Sequence, residues 1–263
     1  MKKTFMTSVL ALSLLPLSLY AEEETDFLEN SVVNQVTIDE SVSFNIDEEK
    51  LRIIIREEIS NNPQLIIDSL QAYEKEMQAK MLEQQGNLDI KNLEQFSTEI
   101  YGNPATPIFG DNPGSIVIVE FFDYNCKFCK QAAPVLDKVI ETYNVRRIYK
   151  ELPILSMDSL EVATIAQVVM NNYPDSYEEF HRKIYSLPAP VNKIDALSIL
   201  EEININKEEI ESLSSLENNM STLMQNAQLA QNLGITGTPA FIVGNKILRG
   251  APSFEDFSNL LDK

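Results

Sequence analysis

Seven consecutive residues, Ile116-Val117-Ile118-Val119-Glu120-Phe121-Phe122, are β-branched or aromatic except for one acid, and the tetrapeptide Cys126-Lys127-Phe128-Cys129 follows almost at once. Apolar residues at both alternating sets predict a central strand covered on both faces, which points to an α/β architecture. A helix is predicted from about Cys126 to Tyr143, so the cysteines stand where strand gives way to helix. Unsatisfied N–H groups and the helix dipole favour negative charge there, so a Cys126 thiolate is stabilised, and Lys127 acts in the same direction. Cys129 lies one turn further on the same side, close enough to attack a mixed disulfide on Cys126. Cys126 is therefore read as the nucleophile and Cys129 as the resolving thiol.

A C-x-x-C pair also suits half a zinc site, an iron–sulfur ligand pair or a soft-metal clip. Two cysteines and a single histidine, His181, cannot complete a four-ligand Cys/His zinc site. A structural disulfide closing so short a loop would constrain the unfolded chain very little. Transient capture of a soft metal by the two thiols stays open, and no metal residue is assigned.

The rest of the pattern frames this pair. Val145 to Leu152 is a second strand candidate closed by Pro153, and helix-periodic segments follow at 159–172, 176–186, 192–203, 207–216 and 217–233. Ala240-Phe241-Ile242-Val243, a Gly244-Asn245 turn and Lys246-Ile247-Leu248-Arg249 read as a hairpin, with a last helix at Ser253 to Leu261. The order describes an α/β domain, residues 110–155 and 234–263, interrupted by a helical insertion at 156–233. Glu120 is the one charge in the buried strand. Lys150 and Glu151 end the second strand and are expected near it. His181, between charged residues, reads as a surface or half-buried helix residue with no chemistry.

Upstream, Met1-Lys2-Lys3, an apolar run from Phe5 to Leu19 and Ala21 ahead of Glu22-Glu23-Glu24 predict a signal peptide over 1–21, with a retained anchor as the alternative. Residues 22–45 read as a flexible acidic lead. A helical arm is expected over 46–85, divided at Asn61-Asn62-Pro63, with Asn62 as cap and Pro63 at the first helical position. Its stripe of Ile66, Leu70, Tyr73, Met77 and Met81 needs a partner surface, either its own domain or another copy of the chain. Gly86 is expected to break the helix, with a short helical segment from Leu88 to Tyr101. The turn-formers Gly102, Pro104, Pro107, Gly110, Pro113 and Gly114 then mark 86–109 as a linker. Asp plus Glu total 40 against 21 Lys plus Arg, a net charge of −19, which excludes nucleic acid as the natural partner.

The run Cys126-Lys127-Phe128-Cys129-Lys130-Gln131-Ala132-Ala133-Pro134 resembles the thioredoxin-superfamily active site, C-x-x-C-K-x-x-A-P. Val119-Glu120-Phe121-Phe122-Asp123-Tyr124 and the helical insertion narrow the resemblance to the DsbA-like thiol–disulfide oxidoreductases of the bacterial periplasm, over about residues 110–263. The arm 46–85 is similar to the oligomerising extension of ScsC-like and related disulfide isomerases. The resemblance implies a thioredoxin fold and a redox-active Cys126–Cys129 disulfide in place of a cofactor. It also implies a cis Pro239 in Gly237-Thr238-Pro239-Ala240 facing the cysteines. It gives Glu120 a proton-relay role toward the buried cysteine and makes Thr238, Lys127 and Phe128 the substrate-contacting residues.

The family resemblance implies a periplasmic enzyme, free or surface-associated, that forms or isomerises disulfides in unfolded or misfolded cysteine-containing exported proteins. Its redox partner would be a DsbD-like membrane reductant or a DsbB-like oxidant, and its state a homodimer or trimer. The Lys127-Phe128 dipeptide lacks the histidine of strongly oxidising members, and Thr238 stands where oxidases carry valine; both lean toward isomerisation. The alternatives are a dithiol oxidase without isomerase activity and a non-enzymatic secreted or surface interaction protein.

Overall fold

The computed structural model describes residues 47–102, 116–214 and 216–262, and the backbone of 108–109. The expected signal peptide and acidic lead lie outside the described residues. The chain divides into two units, 1–69 and 70–263.

In the first unit α1 (Glu48–Asn61) starts at Asp47, whose carboxylate accepts the Glu49 N–H at 3.0 Å. Leu51, Ile54, Ile55 and Ile59 are exposed along it. Pro63 opens α2 (Pro63–Gln95). The Asn62 amide, expected to cap α2, donates instead back to Glu58 at 2.8 Å.

In the second unit α2 does not break at Gly86. It runs on to Gln95, so the first ten residues of the expected linker are helix. A mid-helix glycine costs only about 1 kcal/mol, and three side chains of α2, those of Gln85, Asp89 and Leu93, offset it. Asp89 is buried and takes both Arg249 nitrogens, at 2.9 and 2.8 Å, with Gln85 donating to it at 2.8 Å. Leu93 joins the core of the sheet. Replacing Arg249 by alanine is expected to loosen this end of α2 by about 2 kcal/mol, the scale of charge-assisted hydrogen bonds to a buried carboxylate. Faster amide hydrogen exchange over residues 86–93 would register the change, and unchanged exchange would count against the tie. Along the same helix Leu70, Tyr73, Met77 and Met81 are exposed.

After α3 (Ser97–Tyr101) come β1 (Ile108–Phe109), β2 (Val117–Phe122), α4 (Lys127–Tyr143) and β3 (Arg146–Glu151). Five helices follow, α5 (Met157–Asn172), α6 (Pro174–Ser186), α7 (Lys193–Glu202), α8 (Lys207–Leu213) and α9 (Leu216–Asn232). The chain closes with β4 (Ala240–Val243), β5 (Lys246–Arg249) and α10 (Phe254–Leu261). The sheet order is β1-β3-β2-β4-β5, with β2 and β3 parallel and the other pairs antiparallel. Parallel β2 and β3 require the α4 crossover, which places the start of α4 at the carboxyl end of β2. This is the thioredoxin fold with a helical insertion.

Both faces of β2 are covered, as its composition requires. Phe122 packs into the insertion with Val162, Ile165, Phe180 and Ile184, and Ile118 packs against α4 and α10. On the opposite face Val119 and Phe121 meet Ile100, Leu229, Ala230 and Leu233. The C-terminal part of α9 therefore belongs to the sheet's own core, so the insertion proper ends before it, because the apolar residues of β2 and β3 on that face need a covering helix.

Candidate active site

Cys126 is the N-cap of α4. Its N–H donates to the Asp123 carbonyl at 3.0 Å and its own carbonyl accepts from Lys130 N–H at 3.2 Å. Asp123 holds the loop from inside: one carboxylate oxygen accepts the Asn125 N–H at 2.8 Å, the other accepts the N–H groups of Ile154 and Leu155 at 2.9 and 3.0 Å. Asn125 pairs with the backbone of Val191 in both directions, accepting at 2.6 Å and donating at 2.9 Å. Lys130, on the next turn, donates to the carbonyls of Ile184, Tyr185 and Leu187 at the end of α6. Burial pulls its amine down to about 8.

Both thiols are free. Cys126 is 5% exposed and Cys129 fully buried. The Cys126 sulfur lies 3.2 Å from the Thr238 carbonyl, across the cis Thr238–Pro239 peptide. Hydrogen bonding from the Cys129 thiol, helped by Thr238 and the first N–H groups of α4, outweighs burial and lowers the Cys126 thiol to about 6. Cys129 moves the opposite way: burial first, then Cys126 and the charge of Glu120, push its thiol far above the ordinary range. One sulfur is a thiolate at neutral pH and the other holds its proton. Lys127 and Phe128 point outward, Phe128 with 58% of its surface exposed.

Glu120 is fully buried. Arg147, also buried, grips one of its oxygens with Nε at 3.1 Å and Nη2 at 2.5 Å, and the Tyr185 hydroxyl reaches the other at 3.4 Å. The guanidinium lies over the Tyr149 ring, 4.4 Å from its centroid. Lys150 does not join this group. Alternation along β3 turns it to the opposite face, where it donates to the Glu99 carbonyl at 3.0 Å. Glu151 is on the Glu120 face but is held by Tyr177 and Gln167. His181 corrects the surface reading: it is 2% exposed, stacked on Tyr185 and in edge contact with Phe122. It lies four residues after Tyr177 and three before Ile184, on the face that α6 buries.

Residues 117–262 match the family model described as a DSBA-like thioredoxin domain. The chain belongs to the DsbA-like thioredoxin family. Among curated proteins it is similar to "Disulfide bond formation protein D" of Bacillus subtilis, 22% identical, covering 65% of this chain and 83% of that protein. Among solved structures, the catalytic domain of Proteus mirabilis ScsC is 27% identical with a TM-score of 0.60, over 66% of this chain and 96% of that one. ScsC from the same organism in a transitional conformation is 26% identical with a TM-score of 0.60, over 82% of this chain and 95% of that one.

Within this DsbA-like domain the sequence reading missed Arg147, Asp123 and Asn125. Arg147 was detectable in principle, since alternation in parallel neighbours puts Arg147 and Tyr149 on the Glu120 side. Asp123 and Asn125 act on backbone groups 31 to 66 residues away, for which no local pattern exists. Among the described residues no group of three or more His, Cys, Asp or Glu converges to hold a metal. The arrangement supports thiol–disulfide exchange: a thiolate at the N-cap of α4, a protonated thiol buried behind it, and the Thr238 carbonyl alongside.

Proposed function

We propose that this DsbA-like protein is an exported, periplasmic thiol–disulfide oxidoreductase whose main work is disulfide isomerisation in misfolded clients. The Cys126 thiolate attacks one sulfur of a wrong client disulfide, forming a mixed disulfide and releasing a client thiolate. That thiolate or another client thiol then attacks elsewhere, and Cys126 leaves again as the thiolate, with no net change in oxidation state. Cys129 resolves stalled mixed disulfides by displacing the client from Cys126; the resulting Cys126–Cys129 disulfide is returned to dithiol by a DsbD-like membrane reductant. As an oxidase the same pair would accept two electrons from a client dithiol and pass them to a DsbB-like oxidant.

The observation that carries the reading is the placement of Cys126 at the N-cap of α4 with the buried Cys129 behind it, which brings its thiol to about 6. Strongly oxidising members hold theirs near 3.5 and thioredoxin-type proteins near 7, so this nucleophile belongs with the weaker oxidants. The Lys127-Phe128 dipeptide and Thr238 point the same way. Exposed apolar residues on α1 and α2 support assembly into a dimer or trimer through the arm, and the likeness to ScsC over 82% of the chain is consistent with such an arm. Reactivation of a scrambled, multiply disulfide-bonded test protein by chain 22–263 in glutathione buffer tests the proposal. The wild type is expected to restore activity and Cys126→Ser to fall to the buffer rate. Failure of both, with oxidation of a reduced client intact in the wild type, would make the protein an oxidase.

A further inference from the structure

Glu151 is a buried acid that the exchange steps leave unused. Its Oε2 accepts the Gln167 amide at 2.7 Å, its Oε1 accepts the Tyr177 hydroxyl, and its backbone carbonyl accepts from Asn226 at 3.1 Å. The Tyr177 and Tyr124 hydroxyls are hydrogen-bonded to each other, and the Tyr124 hydroxyl stands 3.2 Å from Nδ1 of His181. Carboxylate, phenol, phenol and imidazole thus form one unbroken chain, with every member buried.

A phenol donates only one hydrogen bond, so all donors in such a chain point the same way. With Glu151 ionised, Nδ1–H of His181 donates to Tyr124, Tyr124 to Tyr177 and Tyr177 to the carboxylate. With Glu151 protonated the order reverses: Glu151 donates to Tyr177, Tyr177 to Tyr124 and Tyr124 to a bare Nδ1, and the imidazole proton sits on Nε2. Conversion moves one proton. Nε2 takes it from water in a cavity of about 340 Å³ that His181 lines with Lys130, Arg147, Arg182 and Tyr185. Nδ1 passes its own proton to Tyr124, Tyr124 to Tyr177 and Tyr177 to Glu151.

We propose that Glu151, Tyr177, Tyr124 and His181 are a reversible proton chain, with Glu151 and His181 as positioning residues that make the thiol–disulfide balance of Cys126 and Cys129 depend on pH. The chain touches the site at two points. Tyr124 stands two residues before Cys126, in the loop that Asp123 and Asn125 hold. The His181 ring stacks on Tyr185 at 4.5 Å, and Tyr185 reaches Glu120, whose charge bears on Cys129. Burial lifts the Glu151 carboxyl to about 7, against the two hydrogen bonds and the charge of Lys150 on its own strand. Burial, with Arg147 of β3, Arg182 of α6 and Lys130 of α4, keeps His181 neutral well below the usual imidazole value, so it acts through its tautomers. The proposal needs only oxidoreductase activity and is independent of the isomerase reading.

His181 is the sole histidine, so nitrogen-15 labelling of histidine gives the signals of one ring. Across pH 7 the wild type is expected to exchange the Nε2–H tautomer at the acid side for Nδ1–H at the basic side. Its glutathione redox equilibrium should show an inflection at the same pH. Glu151→Gln and Tyr177→Phe should each fix one tautomer and remove the inflection. A wild-type ring that keeps one tautomer throughout overturns the chain without any variant. Tautomer exchange that persists in Glu151→Gln also overturns it, and redox profiles identical in wild type and both variants overturn the positioning role.

Discussion

At pH 7 the reduced protein should be alkylated rapidly at Cys126 alone, while Cys129 stays unmodified until the protein is unfolded. The rate of iodoacetamide reaction should rise with pH about a midpoint near 6, the value that Cys129, Thr238 and the first turn of α4 impose on the Cys126 thiol. A free cysteine titrates at about 8.5, and a midpoint there would overturn the electrostatic account of the site. Cys126→Ser should abolish the fast phase and all disulfide exchange, since Cys129 is buried and keeps its proton at every working pH. The sign for stability follows from the same shift. Cys126 has a lower thiol value folded than unfolded, so its contribution to the reduced protein grows as pH rises above about 6 and is lost as pH falls through it.

The second large effect is expected at Arg147. Replacing it with methionine removes both nitrogens from a fully buried carboxylate. Breaking one side of a buried ion pair costs about 3–5 kcal/mol because the remaining charge has neither water nor partner. Urea unfolding of the reduced variant should show a loss of that size. The double variant Glu120→Gln with Arg147→Met should recover more than half of it, as both charges are then gone. A single-variant loss under about 1 kcal/mol would count against a buried ion pair between Glu120 and Arg147.

What the sequence disclosed, and what it hid, follows the range of the forces involved. β2 and β4 were legible because an apolar run states its own burial, and the helices of the insertion because their apolar spacing repeats within a few residues. The two-residue β1 carries no such pattern. The unbroken α2 was missed because Gly86 marks a local cost, whereas the compensating Asp89–Arg249 pair joins residues 160 positions apart. His181 was misread from its charged neighbours in sequence when its neighbours on the helix, Tyr177 and Ile184, were the relevant ones. At the site, the cysteines and Thr238-Pro239 were readable as a resemblance. Glu120 was readable as the one charge in a buried strand, but its partner Arg147 was missed, because pairing across strands is set by register.

The contact between Cys126 and Thr238 spans 112 positions in the chain. A polypeptide emerging from its amino end therefore exposes the C-x-x-C segment long before β4 exists. Until that strand closes beside β2, Cys126 lacks the Thr238 carbonyl that accepts its S–H at 3.2 Å. The site is therefore complete only when β4 has docked on β2. A product truncated before Thr238 would thus hold both cysteines but lack the backbone wall beside them, which one of the last strands of the fold supplies.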